Sequence, residues 1–149
     1  MKIYIGSDHA GFALKQHLVS YLAKKGNQVI DTGPQEFNKD DDYPDLISLV
    51  AKQVSQDLDG SVGIIIGHSG QGEALVANKF KGIRAGVYYG GPEEILTLLK
   101  EHNNANVLSL GAHFLTEHEA EKAVDVWLDT AFSAEERHVR RIEKIKKFD

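Results

Sequence analysis

The chain has 149 residues, no cysteine and a formal charge of −5. That length accommodates one domain with a real core, and the missing thiols exclude disulfides, a cysteine nucleophile and thiolate zinc sites. The acidic balance gives no reason to expect nucleic acid or an anionic membrane as partner. Met1-Lys2-Ile3-Tyr4-Ile5 runs straight into a strand pattern with no signal-peptide layout, and no apolar run is long enough for a bilayer; a cytoplasmic protein is expected.

Lys2–Gly6 is a short β-rich run, after which Leu14, Leu18, Val19 and Leu22 recur on one side of a helix that Gly26 ends. Gln28–Asp31 reads as a second strand, and Thr32–Asp42, with glycine, proline and consecutive aspartates, as a loop. A helix from about Asp45 carries Ile47, Val50, Val54 and Leu58 on its buried face. Ser61–Ile66 is the third strand, followed by a helix containing Ala74–Phe80. Ile83–Tyr89 is predicted as the fourth strand, Pro92–His102 as a helix and Ala105–Leu110 as the fifth strand. Ala120, Ala123, Val124, Trp127 and Leu128 mark an amphipathic helix, and Ala134–Phe148 a basic final one. With no internal repeat and no linker, residues 1–149 are expected to form a single domain.

Strands separated by helices predict an α/β fold, a parallel sheet covered on both faces, because each parallel return needs a crossover. Strand orders 2-1-3-5-4 and 2-1-3-4-5 both satisfy the pattern. Ligands of such sheets bind beyond the carboxyl ends of the strands. Ser7-Asp8-His9, Gly67–Glu73 and Gly111-Ala112-His113 all follow strands and meet that rule.

The most informative stretch is Gly67-His68-Ser69-Gly70-Gln71-Gly72-Glu73. An apolar run, small residues and a helix start aim several backbone N–H groups at one point, as an anion cradle does. Glu73, in the first turn of that helix, would repel a bound phosphate. The loop therefore reads as a base placed beside a developing oxyanion, the alternative being a carboxylate that merely complements the helix dipole. His102 closes a helix that runs against the strands, so it belongs near their amino ends. A six-residue strand spans roughly 20 Å, and a catalytic His102 would have to come from a second copy of the chain.

Ser7-Asp8-His9-Ala10-Gly11, Asp42-Tyr43-Pro44, the Gly67–Glu73 loop with Ala77-Asn78-Lys79, Glu101-His102-Asn103-Asn104-Ala105-Asn106 and Arg137-His138-x-x-Arg141 together resemble the type B ribose-5-phosphate isomerases. Their wider family includes galactose-6-phosphate isomerase subunits and an allose-6-phosphate isomerase. The resemblance spans the whole chain, motif by motif and in order. It implies a Rossmann-like three-layer αβα sandwich on a five-stranded parallel sheet with an extra C-terminal helix, assembled as a homodimer or homotetramer with shared active sites.

It also implies a chemistry: aldose–ketose interconversion of ribose 5-phosphate and ribulose 5-phosphate through a cis-enediolate, a step of the pentose phosphate pathway. One branch of the family uses a cysteine base at the position of Gly67, whereas Glu73 matches the glutamate branch. Backbone N–H groups from Ser69 to Glu73 would stabilise the enediolate oxygens, with Ser69 placed among the catalytic residues and Gly67, Gly70 and Gly72 against the substrate. Resemblance gives ring opening to Asp8 and His102, sugar contacts to Asn103 and Tyr43, and the phosphate to Arg137 and Arg141, one helical turn apart, with His9 and His138 as further donors. Each has a plainer alternative: Asp8 as a helix N-cap, His102 on helix carbonyls, Asn103 and Tyr43 as turn residues, and the arginines as part of a solvated basic face.

Two positions depart from the family pattern. His113 stands where an arginine is usual, and His68 replaces a small residue, so binding is either weaker and pH-dependent or directed to another sugar phosphate. A non-catalytic sugar-phosphate-binding protein is the reading from outside the enzymes, and an intact Glu73 counts against it. His17 and His118 read as surface residues. No histidine or acidic group has convincing metal-ligand spacing, and the glycine-rich loop lacks both the P-loop Lys-Ser/Thr and the full dinucleotide pattern; a cofactor-free, metal-independent reaction is expected.

Overall fold

The computed structural model describes residues 1–149. Five parallel strands form one sheet: β1 Lys2–Ser7, β2 Gln28–Asp31, β3 Ser61–Gly67, β4 Ala85–Tyr88 and β5 Val107–Gly111. Their order is β2-β1-β3-β5-β4, which decides between the two orders the sequence allowed. The register pairs Ile5 with Ile64, and Ile64 with Leu108. Side chains alternate across a strand, so Ile3, Ile5, Val62, Ile64, Ile66, Leu108 and Leu110 share one face and Tyr4, Ile65 and Val107 the other.

Six α-helices connect and flank the strands: α1 Phe12–Lys24, α2 Tyr43–Gln56, α3 Gln71–Ala77, α4 Glu94–Glu101, α5 Glu117–Asp129 and α6 Glu136–Ile145. Leu14, Leu18 and Leu22 of α1, Leu96 of α4 and Ala120, Ala123, Val124 and Trp127 of α5 close the first face. Ile47, Val50, Ala51 and Val54 of α2 with Ala77 of α3 close the second. Each fully buried Ile or Leu contributes about 2 kcal/mol of transfer free energy. The helix α5 starts in a complete capping box, Thr116 accepting from the Glu119 amide while the Glu119 carboxylate accepts from the Thr116 amide. The sole tryptophan, Trp127, is fully buried, and the Lys100 ammonium lies 4.3 Å from the centre of its ring.

Several sequence boundaries move. The helix α2 ends at Gln56, so Leu58 lies beyond it and is exposed rather than inward. Asp57 closes that helix with its backbone away from helical values. Strand β4 starts at Ala85: one residue earlier the Arg84 amide is taken by the Asn106 side chain, and at Ala85 itself Asn78 holds both backbone polar groups. The final helix stops at Ile145, and Lys146–Phe148 tighten into a 3-10 turn. Asp8 does not cap α1: the N-cap is Gly11, and the Asp8 carboxylate accepts from its amide at 3.0 Å, one turn earlier. No helix is long and apolar enough to cross a membrane.

Candidate active site

Strands β1, β3 and β5 end side by side, and their last residues bring the candidate loops together. Ala112 donates its amide to the Gly67 carbonyl at 2.9 Å and His113 donates to that of His68 at 3.1 Å, locking the loops after β3 and β5 to one another. Gly70, the N-cap of α3, turns the chain at φ +77°, a conformation that favours glycine. Its carbonyl accepts a 2.6 Å bond from the fully buried Ser109 hydroxyl. Sequence reading passed over Ser109; its signal was a lone hydroxyl inside the apolar run Val107-Leu108-Ser109-Leu110.

Glu73 sits in the first turn of α3 and is only 4% exposed. Burial, helped by the nearby Asp8 charge, holds its carboxyl above the usual glutamate range, while its own amide and His68 pull the other way. A Cβ on Gly67 would lie 2.0 Å from Glu73 Oε1, so the two positions share one space. Tyr43, at the start of α2, closes over the loop from the other side: a Cβ on Gly72 would stand 2.9 Å from its Cζ. Ser69 is half-buried, and its hydroxyl accepts from the Gln71 amide at 3.4 Å.

Asp8 is buried beside this loop. His9 follows it and is held by Asp41, whose Oδ1 accepts from the His9 amide at 3.2 Å and lies 2.6 Å from its Nδ1. That bond raises the imidazole above its ordinary value against the opposing effect of burial, with lesser support from the nearby Asp8, Asp41 and Asp40 charges. The donor atoms of Asp8, His9 and Asp41 gather within 4.8 Å, the arrangement in this chain nearest to a cation site. Within it, one Asp8 oxygen accepts from the Gly11 amide and Asp41 Oδ1 is shared with the His9 ring, while Asp41 Oδ2 has no partner.

His68 and His113 stack with ring centres 4.3 Å apart and planes 18° from parallel, Phe114 standing edge-on to both. His68 and His113 therefore form one physical unit.

The remaining candidates assemble elsewhere. His102 caps α4, donating its amide to Leu98 at 3.0 Å, and its ring packs 4.2 Å from that of His138. His138 is 2% exposed; its Nδ1 lies 3.2 Å from the His102 carbonyl, and its Nε2 has no hydrogen-bond partner. Arg137 is exposed and ion-paired with Glu135 at 2.8 Å, Arg141 is exposed one turn further, and Asn103 accepts from Arg84 through its carbonyl. Because α4 returns from the carboxyl to the amino ends of the strands, this group lies at the opposite end of the strands from Glu73. The seven residues of β3 set that separation at roughly 20 Å.

The sequence model of the family described as Ribose/Galactose Isomerase matches residues 3–145. The chain belongs to this family. It is 40% identical over 149 residues to ribose-5-phosphate isomerase B of Mycolicibacterium paratuberculosis, covering all of this chain and 92% of that one. It is 39% identical over 145 residues to the Escherichia coli enzyme of the same name, with 97% and 93% covered. Among solved structures, ribose-5-phosphate isomerase B of Mycoplasma genitalium with bound ribulose-5-phosphate superposes with a TM-score of 0.94 at 41% identity, covering 99% of this chain and 95% of that one. The Clostridium thermocellum protein follows at 0.92 and 39%, with 99% and 97% covered.

Within the isomerase family, the Gly67–Glu73 relationship takes on a meaning that the loop alone did not have. A base carried on residue 67 and a carboxylate carried on residue 73 cannot occupy this cradle in the same way at once. Of the two histidines read as surface residues, His17 is partly exposed and bonds Glu121 at 2.8 Å across α1 and α5, and His118 is exposed.

Proposed function

We propose that this isomerase interconverts ribose 5-phosphate and ribulose 5-phosphate, with Glu73 carrying the proton between C2 and C1. The observation that carries the reading is the buried Glu73 carboxylate standing over the Gly67–Gly72 backbone. A carboxylate withdrawn from water is a stronger base than an ordinary glutamate, and it stands where N–H groups from Ser69 to Glu73 can receive the charge that builds on the enediolate oxygens. The proton leaves C2 for Glu73 as charge builds on O1, the O2 hydroxyl proton passes to O1 across the C1–C2 enediolate, and the same carboxyl returns its proton to C1, leaving the C2 carbonyl. Atoms and charge balance without a further reactant.

Ring opening is assigned to Asp8 with His102, sugar contact to Tyr43 and Asn103, and the phosphate to His9, Arg137 and Arg141. His102, Asn103, His138 and the arginines would come from a second copy of the chain, because a pentose phosphate is far shorter than the sheet. The stacked His68–His113 pair favours a second reading within the class, an isomerase for an altered or longer sugar phosphate: an imidazole pair fills the mouth of the site where an arginine would supply a permanent charge.

The test compares wild type with Glu73→Gln on ribose 5-phosphate, measuring binding and turnover separately. Retained binding with turnover lowered by about 10³-fold or more supports the assignment. Equal turnover removes Glu73 from the chemistry, and binding without turnover in wild type makes the chain a binding protein. A panel of pentose and hexose phosphates run against wild type and His113→Arg decides the sugar.

A further inference from the structure

Asp41 is the middle residue of Asp40-Asp41-Asp42, and its side chain is only 9% exposed. A buried carboxylate between two others is costly unless donors hold it. Its Oδ1 receives both the His9 amide and the His9 ring, while Oδ2 is buried without a partner. The loop that carries it is fixed at its root, where the Lys15 amine, 1% exposed, bonds both Asp31 oxygens at 2.7–2.8 Å and the Pro34 carbonyl at 2.7 Å. Phe37, from the same loop, stands edge-on to the His9 ring at 6.5 Å and to Phe12 at 6.1 Å. The imidazole is thus gripped along one edge and flanked on one side. The charged groups around it are Asp8, Asp40 and Asp41, all acidic, and the other packed neighbours are aromatic.

With Nδ1 engaged, Nε2 is left on the far edge of the ring, free to donate only when it carries a proton. We propose that Asp41 is a positioning residue for substrate binding, holding the His9 ring by Nδ1 so that Nε2–H is presented to the phosphate of the sugar. The proposal rests on the assignment of His9 to the phosphate made above. The pair is nearly neutral as a unit, so it contributes an aimed, charge-assisted donor rather than a free positive charge, and a moderate effect follows.

Two substitutions separate aim from charge. Asn at 41 still accepts from Nδ1 but carries no charge; Ala does neither. On ribose 5-phosphate, Asp41→Asn is expected to raise KM about threefold and Asp41→Ala about tenfold, a loss of one charge-assisted hydrogen bond, with kcat within about threefold of wild type. The pH profile supplies the readout that a merely structural role would not move. As pH rises through the elevated His9 value the donor is lost and KM climbs; in Asp41→Asn that climb begins at a lower pH. The substrate's own titration is common to both proteins and cancels. Imidazole nitrogen shifts recorded by NMR on the same proteins give the tautomer and titration of His9 directly. Wild-type KM and an unmoved His9 titration in Asp41→Asn and Asp41→Ala would overturn the proposal. His9→Ala distinguishes the two levels: if it leaves KM unaltered, the phosphate assignment fails and this inference with it, whereas a raised KM there with none in the Asp41 variants removes Asp41 alone.

Discussion

Glu73 occupies the space that a side chain on Gly67 would need: a Cβ there would lie 2.0 Å from Oε1 and 2.1 Å from Cδ. No real pair of atoms tolerates that approach, so any residue larger than glycine at 67 pushes the carboxylate out of the cradle. Gly67→Ala should lower kcat/KM by about 10²-fold, the scale of a 1 Å misplacement of a catalytic group. Its melting temperature should stay close to that of wild type, because the displaced carboxylate can swing toward solvent. Steady-state kinetics with a thermal melt checks both, and full activity in Gly67→Ala would show that Glu73 does not act from its observed position.

Burial holds the Glu73 carboxyl above its usual range, and the sign of the consequence differs for activity and stability. A base must be ionised, so kcat/KM should fall on the acid side at a pH higher than an ordinary glutamate would give. For folding, a raised native value means the protein loses stability as pH climbs through it, having been unpenalised below the unfolded-state value. Glu73→Gln, uncharged throughout, should therefore melt about 2–4 °C higher than wild type near pH 7.5, which is about 1 kcal/mol at this size, and should lose that advantage near pH 4. An equal or lower melting temperature at neutral pH would mean the carboxylate is better compensated than its surroundings indicate.

Ser109 reaches from the interior of β5 to the Gly70 carbonyl at 2.6 Å. Ser109→Ala removes that bond but leaves the carbonyl its Ala74 amide, so a loss of about 1 kcal/mol is expected. The effect on turnover should exceed the effect on global stability, since Gly70 sets the aim of the loop amides. Denaturant unfolding and kinetics on one preparation test this; a stability loss with unaltered kcat would make Ser109 a core residue only.

The separation of Glu73 from His102 and the arginines predicts complementation. Glu73→Gln and His102→Ala should each be inactive alone, while mixed dimers regain up to about a quarter to a half of wild-type activity through the one intact composite site. Mass spectrometry confirms the mixed species. Their inactivity would place a whole site within each chain.

Much of this was legible in the residues. Periodicity located all of the strands and α-helices, and the Gly67–Glu73 layout announced a carboxylate in a cradle before any fold was known. The order β5 before β4 was not legible, because both orders bury the same apolar runs. Nor was the role of Asp41 or the His68–His113 stack. Asp41 meets His9 across 32 positions of chain, and His113 meets His68 only because β3 and β5 are neighbours. A loop-to-loop meeting has no periodicity to leave in a sequence. Leu58 was misplaced for the opposite reason: the helical spacing continues in the letters after the backbone has left the helix at Gln56.

Lys100 gives the molecule a built-in optical gauge. Its amine is pushed down to about 8, first by burial and then by Arg84, and it lies against the only indole in the chain. An ammonium over that ring and a neutral amine over that ring are different electronic surroundings, so tryptophan emission should change around pH 8 instead of near 10. The packing of α4 on α5 can therefore be followed in the unlabelled protein, at mild pH and at micromolar concentration, without touching a residue of the site.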